Sequence, residues 1–430
     1  MNWSRFIYTY ENGDFVRLKS SKNHITIELD KEQFSEINDE INKREVHNGE
    51  YVEYLKKLDM IVNSDEEEKN EFFEDIINAV EKIGDEYTVT ILPTHKCNFF
   101  CTYCYENGTD RALEMPYETV DSIFDWIENK LLCKYAIKKL NFKLFGGEPL
   151  FVSNDKLEYI VNRIKNLNVE FTTSIITNGY CLTDTKCKIL SSVHLKYLQV
   201  TLDGPRKYHN SQRTLKSGGD TFDVIIENLL NAISLGVSET YIIRINCCKS
   251  NVSIIPELLE YLSERFECYK SKINFSFGLL GKSYDDVTNK QIDDDFLRED
   301  DGSLDEYALL YKKVKDLGFP YTDYYALSAL CANKVSDSII IQSDGKIIKC
   351  LRGVERQEFY ESNIIDYNIE NRKAQVLLYR RCFEESCPYI PYCHLGCQHG
   401  YYIENGNKVG RNCQREILDY VNKKLLEVMY

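Results

Sequence analysis

Apolar and polar positions alternate in two rhythms along this chain, and the change of rhythm marks its parts. Arg5 to Tyr10, Phe15 to Lys19 and Ile25 to Leu29 are short extended candidates, separated by Glu11-Asn12-Gly13-Asp14 and Ser20-Ser21-Lys22-Asn23. Asn-Gly and Ser/Asn clusters punctuate hairpins, and Ile25, Ile27 and Leu29 alternate as a half-buried strand does. A helical period follows: Phe34, Ile37 and Ile41 share one face, and Tyr51, Tyr54, Leu55 and Leu58 the next. Ser64 before Asp65-Glu66-Glu67 caps a third helix carrying Phe72, Phe73, Ile76 and Ile77.

Further along, apolar runs alternate regularly with amphipathic stretches. Strands are expected at Tyr87 to Leu92, Leu140 to Phe145, Phe171 to Thr177, Tyr197 to Leu202, Tyr241 to Asn246 and Ile273 to Phe277. Helices are expected near Tyr117 to Leu132, Lys156 to Asn166, Thr183 to Ser191, Phe222 to Leu235 and Ile254 to Glu264. Alternating elements of this kind predict an α/β fold with a parallel sheet and right-handed crossovers, here six units forming a partial (β/α)6 TIM barrel open at one side. The acidic stretch Asp285 to Asp301 reads as a mobile loop, and Tyr307 to Leu317 as a helix leaving the barrel. Three domains are expected, over residues 1–85, 86–303 and 304–430, since single cores rarely grow past roughly 250 to 300 residues.

Composition narrows the class. Hydrophobic content of 43% and charged content of 28% fit a soluble globular protein, and no signal peptide or membrane-length apolar run is present. A cytoplasmic location with no membrane partner is expected. A formal net charge of -15 argues against nucleic acid, whose phosphates need clustered Lys and Arg. Sixteen cysteines in such a chain point to metal rather than disulfides.

Cysteine spacing sharpens that reading. Cys97-x3-Cys101-x2-Cys104 follows the first barrel strand directly. Three thiolates in a tight loop suit a 4Fe-4S cube with one iron left open, whereas zinc favours four ligands or paired knuckles. The alternative is three ordinary reduced thiols. Gly146-Gly147-Glu148-Pro149 follows the second strand, and its glycines allow close approach of a main chain to a ligand. Thr177-Asn178-Gly179 and Thr201-Leu202-Asp203-Gly204-Pro205 close the next two strands, at the carboxyl ends where such folds place their chemistry. Each is also an ordinary turn sequence.

The triplet, with Tyr103 ahead of its last cysteine, resembles the signature of radical S-adenosylmethionine (SAM) enzymes, and the run from Asp203 through His209-Asn210 to Arg213 resembles the same family. Thr201 stands where Ser is usual, and Asn210 where Asp is usual. The resemblance implies that Cys97, Cys101 and Cys104 are catalytic cluster ligands and that Gly146, Gly147, Glu148 and Pro149 hold the SAM amino group. Tyr103, Asn178, Thr201, Asp203, Arg213 and Arg244 are the other candidate cofactor contacts, the two arginines as rival clamps for the SAM carboxylate.

Cysteines return near the carboxyl end. Thirteen residues separate Cys331 from Gly345 and four separate Gly345 from Cys350; Cys382-x4-Cys387-x5-Cys393-x3-Cys397 and, after fifteen residues, Cys413 complete the array. This closely resembles a SPASM domain, although Cys382-x4-Cys387 replaces the usual two-residue spacing. The resemblance implies two auxiliary clusters, hence three 4Fe-4S clusters in all, with Cys331, Cys350 and Cys397 on one and Cys382, Cys387, Cys393 and Cys413 on the other. Zinc held by the same thiols is the alternative. Cys133, Cys181, Cys187, Cys247, Cys248 and Cys268 remain, expected as small buried hydrophobes.

The amino-terminal layout of three strands then helices resembles the winged-helix-like leader-recognition domain of peptide-modifying enzymes, where a leader adds a strand to a sheet edge. Packing against the barrel alone is the plainer reading. The expected activity is installation of a thioether or carbon-carbon crosslink in a ribosomally made precursor peptide by a 5'-deoxyadenosyl radical, fed by a flavodoxin- or ferredoxin-type electron donor. Formylglycine formation in a sulfatase is one alternative, and a noncatalytic iron-sulfur or zinc-held peptide-binding protein is another.

Overall fold

The six central runs form strands Glu86–Ile91, Lys139–Leu144, Glu170–Thr177, Leu195–Thr201, Thr240–Cys247 and Ile273–Leu279 in a computed structural model. It describes residues 1–43, 49–106, 113–280, 295–320, 331–354, 356–367, 369 and 376–429. Each strand pairs in parallel with the next in sequence, for example Val89 with Phe142 and Val200 with Ile243. Burial alternates strictly along Lys139–Leu144 and Thr240–Cys247 and runs through consecutive residues in Glu86–Ile91 and Glu170–Thr177; Leu140, Leu144, Leu198, Val200, Ile243 and Ile245 are inaccessible to solvent. Helices from the intervening stretches cover the sheet, and each is bounded as its sequence dictates. Ser153 and Thr183 accept from the backbone N–H three residues on, at Lys156 and Lys186, capping helices Asn154–Lys165 and Asp184–Leu190.

The sheet does not stop at six strands. Ser338–Ile341 pairs in parallel with Glu86–Ile91, and Lys346–Ile348 and Tyr360–Asn363 continue it antiparallel, giving nine strands. The first strand of the series is therefore interior. Gly345, at φ 81°, is the left-handed residue of the turn between Ser338–Ile341 and Lys346–Ile348. Helix Ser303–Asp316 sits by the last parallel strand, with the Tyr307 hydroxyl donating to the Phe277 carbonyl at 3.1 Å.

Two details differ from the sequence expectation. The helix starting at Tyr117 contains a π-turn at Ile127–Leu131 before finishing at Leu132–Lys134. Residues 285–294 of the acidic stretch lie outside the described residues, but its tail is tethered: Asp295 accepts from the Ser250 N–H and hydroxyl, both at 2.7 Å, and Asp301 pairs with Lys249 at 2.9 Å. Of the six leftover thiols, Cys187, Cys247 and Cys248 are buried as expected, Cys181 is half-buried, and Cys133 and Cys268 are exposed.

By contact the chain divides into two compact units, Met1–Lys82 with Asp323–Val335 and Asn371–Tyr430, and Ile83–Thr322 with Ser336–Glu370. In the first, strands Ile7–Asn12, Phe15–Ser20 and Thr26–Asp30 form an antiparallel sheet in that order. Helices Lys31–Lys43 and Gly49–Lys57 close over it through Val16, Leu18, Leu29, Ile37, Val52 and Leu55. Helix Asp65–Glu81, capped by Ser64, packs Phe72, Ile76 and Val80 against Tyr379 and Phe383 of helix Val376–Glu384. The Tyr8 hydroxyl reaches Asn422 at 3.0 Å, and Arg17 donates to the Leu426 carbonyl at 2.7 Å. Amino- and carboxy-terminal segments thus share one core. No helix among the described residues is long and apolar enough to cross a membrane.

Phe72 contacts the rings of both Phe6 and Phe383. Phe72→Ala should cost about 3 to 5 kcal/mol, read as a lowered urea midpoint of the first unit, and the helix Val376–Glu384 should lose hydrogen-exchange protection together with the amino-terminal helices.

Candidate active site

The triad loop is positioned by two main chains lying against each other. A β-carbon on Gly147 would stand 2.3 Å from the His95 carbonyl oxygen and 2.5 Å from that of Lys96; one on Gly146, at φ 132°, would stand 2.5 Å from the Thr94 oxygen. Only glycine fits at both positions. Across this contact Gly147 N–H donates to Thr94 at 3.1 Å and Glu148 N–H to Lys96 at 2.9 Å, fixing the chain that enters Cys97. On its far side the loop is held by a two-stranded ribbon, Phe99–Cys101 against Arg213–Leu215, which sets Arg213 opposite Cys101.

Cys97, Cys101 and Cys104 border a cavity of about 340 Å³ in the second unit. Tyr103, Gly146, Gly147, Glu148, Asn178, Thr201, Arg213 and Arg244 line it too, so the strand-end motifs converge on the triad. Pro149 and Asp203 do not line it: Pro149, itself buried, starts a 3-10 turn, and Asp203 is buried behind the wall. The Tyr103 hydroxyl donates to Asp203 and accepts from Arg213 Nη1 at 2.6 Å and Asn246 Nδ2 at 3.2 Å. Asp203 also faces Arg213 at 3.7 Å and accepts from the Asn246 N–H at 3.0 Å. The aspartate therefore orients the wall. Glu148 is similarly occupied, accepting from Leu150 N–H at 3.0 Å, Thr177 hydroxyl at 2.5 Å and Asn178 N–H at 2.6 Å. Burial raises its pKa despite those donors.

Arg213 Nε is buried without a hydrogen-bond partner among the described residues, whereas Arg244 spends Nε on Asn246 at 3.1 Å and Nη1 on Ser276 at 3.1 Å. Arg213 thus keeps a donor in reserve for an anion. Burial, with the Glu148 charge second, pushes the Cys97 thiol up to about 12. A thiol so placed ionises when a cation takes the proton's position. No three His, Cys, Asp or Glu side chains among the described residues close round a single ion. The triad instead borders an open space, as suits a four-iron cluster whose thiolates each bind a different iron. The three thiols and Arg213 fit a cluster together with an anionic ligand.

Several lining residues escaped the sequence reading: Phe99, Tyr105, Glu106, Phe145, Gln199, Asn246 and Arg352. Asn246 was within reach, since it ends a barrel strand two residues after Arg244. Arg352 was not, because it arrives from the segment that extends the sheet.

The carboxy-terminal cysteines fall into groups. Cys382, Cys387, Cys393 and Cys413 line one hollow of about 30 Å³ in the first unit, so the longer Cys382-x4-Cys387 spacing still brings all four together. Burial raises the Cys387 thiol and takes Cys393 to about 11. In the same unit Lys334 is buried beside Cys331, Cys393 and Cys397, its ammonium donating to the carbonyls of His394 and Gly396, with burial lowering its pKa. Cys350 belongs to the second unit, near Tyr105 and Arg352.

Residues 91–262 match the Radical SAM superfamily model, and the chain carries a radical SAM domain. That domain implies a 4Fe-4S cluster and SAM, and with its enzyme-named relatives it marks the chain as an enzyme. The radical SAM cyclopropyl synthase TigE of Paramaledivibacter caminithermalis is 24% identical over 60% of this chain; the match spans 55% of TigE's own length. The cysteine-type anaerobic sulfatase-maturating enzyme of Clostridium perfringens is 22% identical over 77% of this chain and 95% of its own. Among solved structures, AdoMet-bound anSMEcpe superposes with a TM-score of 0.62 at 19% identity, covering 80% of this chain and 96% of that one. Streptococcus suis SuiB bound to S-adenosylmethionine gives 0.51 at 16% identity, covering 96% and 99%. Both share the fold.

Gly147→Ala should dislodge the triad loop while leaving the sheet intact. Anaerobic reconstitution should then yield about four fewer irons per chain, with an unchanged far-ultraviolet dichroism spectrum.

Proposed function

We propose that this chain is a radical SAM maturase that installs a thioether or carbon-carbon crosslink in a ribosomally made precursor peptide. The observation that carries the reading is the convergence of the Cys97-Cys101-Cys104 triad, Arg213 and the strand-end residues Asn178 and Thr201 on one cavity. Cys97, Cys101 and Cys104 would hold the cluster, which with SAM supplies a hydrogen-abstracting 5'-deoxyadenosyl radical when bound. Arg213 would take the SAM carboxylate through its uncommitted Nε, oriented by Tyr103 and Asp203. The apolar wall of Phe99, Phe145, Ile176 and Leu280 would exclude water from the reacting atoms.

The peptide assignment draws on the first unit. Its antiparallel sheet ends, among the described residues, in edge strand Thr26–Asp30, which suits a winged-helix-like leader domain receiving a peptide as an added strand. Cys382, Cys387, Cys393 and Cys413 would hold an auxiliary cluster of a SPASM-type region. The second reading, formylglycine formation on a sulfatase, is favoured by coverage of 95% of a sulfatase-maturating relative.

Anaerobic reconstitution should give about twelve irons, and the triad alanine variant about four fewer with no 5'-deoxyadenosine. Tyr103→Phe should weaken SAM binding about tenfold in equilibrium dialysis, because Arg213 loses an acceptor that orients it. Co-expression with a short cysteine- or aromatic-rich peptide from a neighbouring reading frame separates the two activities: loss of two hydrogens per bond supports a crosslink, and an aldehyde trapped by a hydrazide at a former cysteine supports formylglycine.

A further inference from the structure

Cys97 borders two spaces. Inward it lines the cavity already described; outward it lines an open groove of about 510 Å³ with Lys96, Phe151, Tyr180, Leu215 and Lys216. Of the triad thiols, Cys97 alone lines both among the described residues. A neighbouring hollow of about 400 Å³ shares Leu215 and Lys216 and adds Phe100. Two phenylalanine rings stand out at this face, Phe100 at 53% and Phe151 at 44% exposure. No residue lining either hollow is acidic, although the chain as a whole carries -15. Lys96 meets Glu114 at 3.4 Å from the side; Lys216 is exposed, its backbone N–H donating to Asn98 at 2.8 Å, next to Cys97.

We propose that this groove is the docking surface for an acidic one-electron carrier protein of the flavodoxin or ferredoxin class. The proposal rests on the radical SAM reading, in which each SAM cleaved consumes one electron. The reduced carrier loses that electron and the cluster held by Cys97 gains it; no atom is transferred. Entry from the inner cavity would compete with SAM and substrate, whereas the groove reaches the same residue, Cys97, from outside. Charge makes the choice of partner. An acidic carrier is repelled by most of this surface and drawn to Lys96 and Lys216, which orients the encounter. Phe100 and Phe151 supply the apolar contact of a small, short-lived interface.

The test uses the reconstituted full chain and an acidic flavodoxin with its NADPH-dependent reductase. Lys216→Glu and Phe151→Ser should each weaken flavodoxin binding, measured by calorimetry at low salt, with the charge reversal costing about tenfold and flattening the salt dependence. Cleavage of SAM driven by dithionite should stay at the wild-type rate, while cleavage driven by flavodoxin falls. Wild-type affinity in both variants overturns the surface, as does a wild-type chain that binds no flavodoxin. Equal loss under dithionite overturns it too, because the two side chains would then serve the triad loop itself. A precursor peptide that binds wild type but not Lys216→Glu, with flavodoxin binding unaffected, reassigns the groove to substrate and overturns it. Failure of the wild-type chain to cleave SAM with dithionite, with flavodoxin binding intact and weakened by the variants, sinks the radical SAM activity and leaves the surface standing.

Discussion

Backbone against backbone, at Gly146-Gly147 and Thr94-His95-Lys96, is the contact on which this site depends. Side chains normally keep neighbouring chains apart. Here the missing β-carbons let one strand end lie directly on the loop that leads into the triad, and two main-chain hydrogen bonds fix the register. From that seat Cys97 faces the cavity, the ribbon Phe99–Cys101 meets Arg213–Leu215, and Arg213 arrives beside Tyr103 and Asp203. The wall is then self-consistent: one buried arginine, one buried aspartate and a tyrosine hydroxyl between them satisfy most of each other's demands, and Arg213 Nε has no hydrogen-bond partner among the described residues. A buried pair so enclosed adds little net stability, but it fixes orientation.

The barrel strands were legible because their signal is local. A six-residue apolar run bounded by turn residues identifies itself, so Tyr87 to Leu92 and Leu140 to Phe145 each lie one residue from the observed Glu86–Ile91 and Lys139–Leu144. The motifs at the strand ends were legible for the same reason. What the chain does not announce is partnership across distance. Ser338–Ile341 is four residues long, and nothing in it specifies pairing with Glu86–Ile91. The union of the amino-terminal sheet with helix Arg415–Val428 depends on Tyr8 finding Asn422 and Arg17 finding a carbonyl at Leu426, contacts without a sequence period.

Glycine and aspartate also show how the residues of a motif take partners that their type does not specify. Gly146 and Gly147 permit the close approach expected of them, yet what approaches is the chain's own loop. Asp203 lies two residues past its strand, where a cofactor contact is expected, and its carboxylate meets Tyr103, Arg213 and Asn246. In both cases the residue type was readable and its partner was not, because an unpaired donor or acceptor takes whatever neighbour the fold delivers.

The strand Ser338–Ile341 bears on how the protein comes into being. During synthesis Glu86–Ile91 leaves the ribosome with Lys139–Leu144 soon available on one side, while the neighbour on its other side is made only after all the other parallel strands. Until then the nascent sheet carries a bare apolar edge and lacks Arg352, so metal loading before release would meet an unfinished chamber. Closure of the chamber is thereby coupled to synthesis of the segment that extends the sheet.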